Sequence, residues 1–248
     1  MREYILWKDL YFSKLWKRES MISASDYYVL IQQRFEEAGN PETAQGQMKY
    51  MRYQFEYFGL KAPAWSSIVN NAMKTVGVFS GAELQEYVCL CFKDDHREMH
   101  YAGLQMLEKQ IKKEEIEAIH FLEECIVTNS WWDTVDWISK LVGWHFMRFP
   151  ELQYPTAQKW ISSDSMWLQR VAIIHQLLYR EKTDEKLLFN LILKKADSKE
   201  FFIQKACGWA LRNCSRVNKV AVTNFVSNHK LSALTVREGM RLIKAGKV

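Results

Sequence analysis

The sequence predicts an all-α protein, a solenoid of two-helix repeats, and three observations carry that prediction. Only 10 Gly and 4 Pro occur in 248 residues, too few for the many turns of an all-β sandwich. Long stretches rich in Leu, Ala, Glu, Lys, Gln and Met favour helix. Helical segments beginning near Pro63, Asp95, Ser130, Asp164, Ser198 and Ser232 recur at about 35 residues, each preceded by another helical segment. Such a period marks an array in which each unit buries its apolar faces against its neighbours. With 48% hydrophobic and 14% aromatic residues the chain can build a sizeable core. It is expected to form one domain over 1–248, with a helical cap over 1–40 and repeats over 41–248.

Residues 2 to about 18 and 24 to about 38 read as two amphipathic helices, split by the polar Glu19-Ser20 and Ser23 and ended by Gly39-Asn40-Pro41. The aromatic side of the first, with Tyr4, Trp7, Tyr11, Leu15 and Trp16, suits a cap docked on the first repeat. Thr43 to Phe58 predicts a third helix that brings Lys49, Tyr50, Arg52 and Tyr53 close together and stops at Gly59. Pro63 then opens the next helix, because proline fits a first turn. A Ser80-x-x-Glu83 capping box starts the segment running to Phe92. Aligning the second helices of the repeats makes Tyr101, Asp136, Arg170, Lys205 and Arg237 equivalent, at intervals of 35, 34, 35 and 32 residues. The match of Trp167-Leu168-Gln169-Arg170-Val171-Ala172 to Phe202-Ile203-Gln204-Lys205-Ala206-Cys207 is the clearest. The Trp-x-x-Leu-Gly-x-x-Tyr pattern of tetratricopeptide repeats is missing, so short HEAT-like units fit better.

The stretch Ser130 to Trp137 holds three indoles and two carboxylates. Ser130 is expected to cap a helix, with Asp133 at the capping-box position. Trp131, Val135, Ile138, Val142 and Phe146 then form an apolar stripe edged by Leu141, whereas Trp132, Asp136, Ser139, Lys140 and Gly143 share another, mostly polar face. Stacked repeats align their equivalent positions, so Asp136, Arg170, Lys205 and Arg237 are predicted to form a row, made more positive by Lys140, Arg212 and Arg241. Solvated helix faces carry charge in any case; the tryptophans set this row apart. In the helix from Ser198 to Asn213 the stripe is Ile203, Cys207, Ala210, Leu211 and Cys214, and Trp209 lies opposite it, near Lys205, Arg212 and Asn213. An indole on a polar, basic face exposes area whose burial would stabilise by on the order of a few kcal/mol, which points to a binding surface. Trp137 and Trp144 read as packing residues.

Several classes are excluded. There is no Gly-rich phosphate loop, no Gly-x-Ser-x-Gly elbow and no His-Glu-x-x-His, and Cys89-x-Cys91 lacks the spaced partners of a metal site. The six histidines are dispersed, so neither a metal nor a cofactor is expected. Five cysteines, an odd number, suit free thiols in a reducing, cytoplasmic compartment. No run approaches the ~20 apolar residues that span a bilayer. A net charge of +5 favours a polyanionic partner only slightly. What remains is one carboxylate, Asp136, flanked by aromatics and cations. That set suits removal of a purine alkylated at N3 or N7. The base is cationic, its bond to deoxyribose is weakened, and a carboxylate can stabilise the oxocarbenium-like sugar and orient water. Indoles can hold the cationic nucleoside, and Arg or Lys can grip the flanking phosphates.

Ser130-Trp-Trp-Asp-Thr-Val-Asp136, Trp167-Leu-Gln-Arg170 and Lys199-Glu-Phe-Phe-Ile-Gln-Lys-Ala-Cys-Gly-Trp209-Ala-Leu-Arg212 resemble segments of the bacterial DNA alkylation repair glycosylases of the AlkD family, over about Thr43 to the C-terminus. The resemblance implies a right-handed HEAT-like superhelix whose concave basic face binds duplex DNA as a monomer, in the bacterial cytoplasm, and excises N3- and N7-alkylated purines without a cofactor. It implies Asp136 as the catalytic carboxylate, Trp132 and Trp209 as contacts to the lesion's deoxyribose, and Arg170 as a phosphate contact. Lys205, Arg212 and Arg237 extend the DNA-binding row, and Tyr50 resembles a further DNA-contacting position. The family is thought to leave the lesion stacked rather than flip it. Two other readings are a non-catalytic protein that binds bent or branched DNA and a protein-interaction scaffold. Neither requires Asp136, which would repel phosphate on a surface meant only to hold it.

Overall fold

In a computed structural model, residues 22–248 are described, and the helix read over residues 2–18 lies outside them. Their helices are α1 Ala24–Ala38, α2 Pro41–Tyr50, α3 Ala62–Thr75, α4 Gly81–Lys93, α5 Arg97–Gln110, α6 Ala118–Val127, α7 Trp132–Arg148, α8 Gln153–Ile161, α9 Met166–Ile174, α10 Glu185–Leu193, α11 Phe201–Cys214, α12 Lys219–Asn228, α13 Ala233–Gly239 and α14 Arg241–Lys244. The described residues hold no strand, and Glu56 and His96 form one isolated bridge.

The stacking is that of an α-solenoid. In one layer α3, α5, α7, α9, α11 and α13 each pack on the next; α4, α6, α8, α10 and α12 form a second layer against them. The first-layer helices begin at Ala62, Arg97, Trp132, Met166, Phe201 and Ala233, so successive starts are 35, 35, 34, 35 and 32 residues apart. One continuous core runs from Ala24 to Phe225. In α7, Val135, Ile138, Leu141 and Val142 are completely buried, each contributing about 1.5–3 kcal/mol. The layer is tight enough to need glycine at two contacts. A Cβ on Gly143 would lie 2.3 Å from the His175 carbonyl oxygen, and one on Gly208 would lie 2.5 Å from Glu238 Cβ.

The structure corrects four local expectations. Ser130 does not cap α7: Trp131 holds that position without a side-chain cap, and Ser130 Oγ donates to the Ile126 carbonyl at 2.6 Å. The cause is Asn129, which takes a left-handed φ of 44° while its side-chain Nδ2 donates to Phe92 O at 2.7 Å, so the chain enters α7 late. Ser80 occupies the N-cap of α4 but makes no cap hydrogen bond, so its capping box is not closed. The helix expected over Thr43–Phe58 stops at Tyr50, because Arg52 and Tyr53 both turn left-handed, each with φ 56°. Beyond them the chain is pulled extended: Glu56 exchanges backbone hydrogen bonds with Asp95 and Arg97 (3.1 and 2.9 Å). The buried Glu98 carboxylate accepts the amides of Phe58, Gly59 and Leu60 at 3.2, 2.9 and 3.0 Å. Finally, Ser139 and Gly143 are buried, Gly143 against the His175 carbonyl of the next repeat, leaving Trp132, Asp136 and Lys140 as the partly open residues of the polar face of α7.

Candidate functional site

The first turn of α7 meets the end of α2. Trp132 packs half-buried against the small cluster of Ala44, Met51 and Tyr57. The Tyr50 ring stands edge-on to it, with centroids 6.0 Å apart and planes at 80°, in the orientation aromatic quadrupoles favour. Tyr50 itself is 72% exposed. Two predicted site residues far apart in sequence are thereby brought together.

One turn along α7, Asp136 meets Arg170 of α9. Arg170 donates from Nε to Oδ1 at 2.7 Å and from Nη2 to Oδ2 at 2.9 Å, while its Nη1 donates to the Phe202 carbonyl at 2.7 Å. The arginine side chain is 6% exposed and the aspartate side chain 19%. Burial pushes the Asp136 carboxyl above the usual carboxylate range; Arg170 opposes that shift, and the nearby charge of Asp133 adds to it. Arg170 is thus the fork that orients Asp136, with three donors engaged inside the protein.

The cationic row continues into the next repeats, but it is not bare. Lys205 Nζ and Arg212 Nη1 converge on Glu238, at 3.0 and 2.7 Å, and Arg241 approaches the same carboxylate at 4.0 Å. The Lys205 hydrogen bond holds Glu238 below the usual carboxylate range. Arg237 keeps the predicted position, four residues into its helix as Asp136, Arg170 and Lys205 are in theirs. It is exposed and forms no ion pair among the described residues, whereas Glu238 faces Lys205. Lys140, expected to strengthen the positive sign, is paired with Glu108 at 2.6 Å and lies 5.5 and 5.1 Å from the ring centroids of Trp137 and Trp144. Trp137 also donates to Glu108, so it does more than pack.

Trp209 is half-buried on α11 and lines a cavity of about 370 Å³ with Leu177, Leu188, Asn213 and Arg216 among others. Neither Trp132 nor Asp136 lines it. Trp131, placed on the core stripe by its spacing, is only half-buried; it packs edge-on against Trp167 and Phe202, with centroids 5.9 and 5.4 Å away.

The sequence reading missed Arg97. It is fully buried and grips Asp133 from Nε and Nη2 at 3.0 and 2.7 Å. It also donates to Thr134 Oγ1 at 2.8 Å and to the Asn129 carbonyl at 2.7 Å, and lies 3.8 Å from the Phe55 centroid. Tyr101 adds a 2.7 Å hydrogen bond to Asp133. Asp133 is therefore an inter-repeat ion-pair partner and not a capping acid. A signal was present: Arg97 precedes Asp133 by 36 residues, close to the 34 that separate Asp136 from Arg170.

A family model described as "DNA alkylation repair enzyme" matches residues 31–243. The chain belongs to the DNA alkylation repair enzyme family. Every site residue named above lies within the matched span of this family member. It is also similar to a solved structure described as a predicted DNA alkylation repair enzyme from Enterococcus faecalis, at 28% identity and a TM-score of 0.78, over 82% of this chain and 95% of that one. No curated protein matches. Among the described residues of this alkylation repair protein, no group of three His, Cys, Asp or Glu could hold a metal ion, and no helix is long and apolar enough to cross a membrane.

Proposed function

We propose that this alkylation repair protein hydrolyses the N-glycosidic bond of cationic N3- and N7-alkylated purines in duplex DNA, acting as a monomer. The observation that carries the reading is Asp136: a part-exposed carboxylate held by the Arg170 fork, one helical turn from the Trp132 and Tyr50 rings. Departure of an alkylpurine takes the C1′–N bond electrons onto the base, neutralises it and leaves positive charge on the sugar. A fixed anion beside C1′ stabilises that charge most where water is scarce. Water then adds at C1′, and the carboxylate receives its proton. Trp132 offers a flat face to the sugar, and Trp209 supplies a second indole from two repeats further along. The cavity beside Trp209 has no wall from Asp136, which supports a lesion approached in the duplex over one housed in a pocket. In this reading the solenoid is a right-handed HEAT-like superhelix, and its first-layer helices present the concave, DNA-binding side.

One observation favours a second reading, a DNA-binding protein that does not cut. The Asp136–Arg170 pair has the same fork geometry as the structural Arg97–Asp133 pair, and an inter-repeat tie needs no chemistry. Incubation with methylated duplex separates the two. The glycosylase releases free N7-methylguanine and leaves abasic sites, whereas the binder shows salt-sensitive affinity and releases no base.

A further inference from the structure

The turn that follows α2 is built at odds with its own backbone. Arg52 and Tyr53 both hold φ 56°, a region glycine enters freely and other residues rarely. A turn shaped for stability alone would use Gly or Asn there. The conformation is fastened by the Tyr53 amide on Met48 O at 2.7 Å and the Arg52 amide on Lys49 O at 3.1 Å, with Met51 buried as a pin beneath. Its effect is to project Tyr50 and Tyr53, 72% and 71% exposed, more than any other large apolar or aromatic side chain among the described residues. Lys49 and Arg52 stand exposed beside them in sequence. From Lys49 to Gln54 there is no acidic residue, and neither cation forms an ion pair among the described residues. Strain held against local preference and spent on exposing side chains is a mark of a working surface.

We propose that this turn is a second grip on duplex DNA, with Lys49 and Arg52 against phosphates and Tyr53 against the sugar edge of the strand that Trp132 engages. The charge pattern selects a polyanion; paired phenols beside the cations select one that also offers flat, apolar sugar or base surface. The Tyr50–Trp132 contact makes the turn continuous with the candidate site. The inference rests on the reading of Trp132 and Asp136 as DNA-facing.

The test is fluorescence anisotropy with a short, labelled, undamaged duplex over a range of salt, beside sedimentation and thermal unfolding of each variant. The double variant Arg52→Gly, Tyr53→Gly relaxes both strained residues, so its thermal midpoint is expected to be unchanged or higher, while duplex affinity falls about tenfold. Arg52→Gly alone lowers the salt slope by about one, and Tyr53→Phe keeps wild-type affinity. Wild-type affinity in the double variant overturns the inference, as does a change confined to self-association, which would make the turn a protein contact. If the wild-type chain binds no duplex, the functional reading falls and takes the turn with it; if it binds and only these variants fail to matter, the turn alone is misassigned.

Discussion

On the α5 side of α7, Arg97 holds Asp133; on the α9 side, Arg170 holds Asp136. Each arginine forks onto both carboxylate oxygens and sends Nη1 to a backbone carbonyl of the following repeat, Asn129 in one case and Phe202 in the other. The surroundings differ. Arg97 is sealed beneath Phe55, and Asp133 takes a further hydrogen bond from Tyr101. Among the described residues Asp136 has no such second partner, and its side chain keeps 19% exposure against 11% for Asp133. The same ion-pair geometry thus occurs once with its acceptors filled and once with a carboxylate left partly open, and in the proposed function it is the open one that acts. A buried, fully bonded pair stabilises chiefly by being costly to break. An open one can still act on a charge that forms beside it.

The largest effect should come from breaking the sealed pair. Arg97→Met strands Asp133 and is expected to cost about 3–5 kcal/mol, read as a fall of roughly 10 °C in thermal midpoint; a fall under about 2 °C would show that Arg97 does not set the position of α7. Arg170→Met should cost less stability, because water reaches Asp136, and more activity. Removing the cation that holds Asp136 down raises its pKa further, so the acid limb of the pH–rate profile moves to higher pH. An unmoved limb would mean that Arg170 does not act through Asp136.

Asp136→Asn sharpens the contrast from the other side. The folded protein binds the Asp136 proton more tightly than the unfolded chain, so the stability linked to this group is greatest below the ordinary carboxylate pKa and is lost as pH rises through the raised one. Asparagine removes that cost while weakening one fork, so stability at neutral pH should change by no more than about 1 kcal/mol. Asp133→Asn should cost more in the same denaturant titration. The smallest effect is expected farther along the row. Glu238→Gln releases Lys205 and Arg212, and affinity for undamaged duplex should rise a few-fold with a steeper salt dependence, roughly one more phosphate contact.

Much of this was legible in sequence, for reasons that particular residues make plain. The 34–36-residue period places Arg170 against Asp136 because stacked repeats repeat their contacts, and the α11 stripe through Ile203, Cys207 and Leu211 is buried as its spacing requires. What was not legible depended on closures between distant segments. Ser130 loses its capping role to a loop that Arg97 and Phe92 hold from another repeat. The end of α2 depends on Glu98 capturing three amides across the chain. Glu238 stands one residue beyond Arg237, and helical spacing alone does not reveal that it faces Lys205 and Arg212, so the counter-charge at the far end of the row was not legible.

The most direct test is the rate of free N7-methylguanine release from methylated duplex DNA by the wild-type chain and by Asp136→Asn, with thermal unfolding of both recorded alongside. Release by the wild type is expected, with a loss of at least roughly 100-fold in the variant and thermal midpoints within a few degrees of each other. An Asp136→Asn protein that keeps the wild-type rate, or a folded wild type that releases no base, would contradict the proposed function.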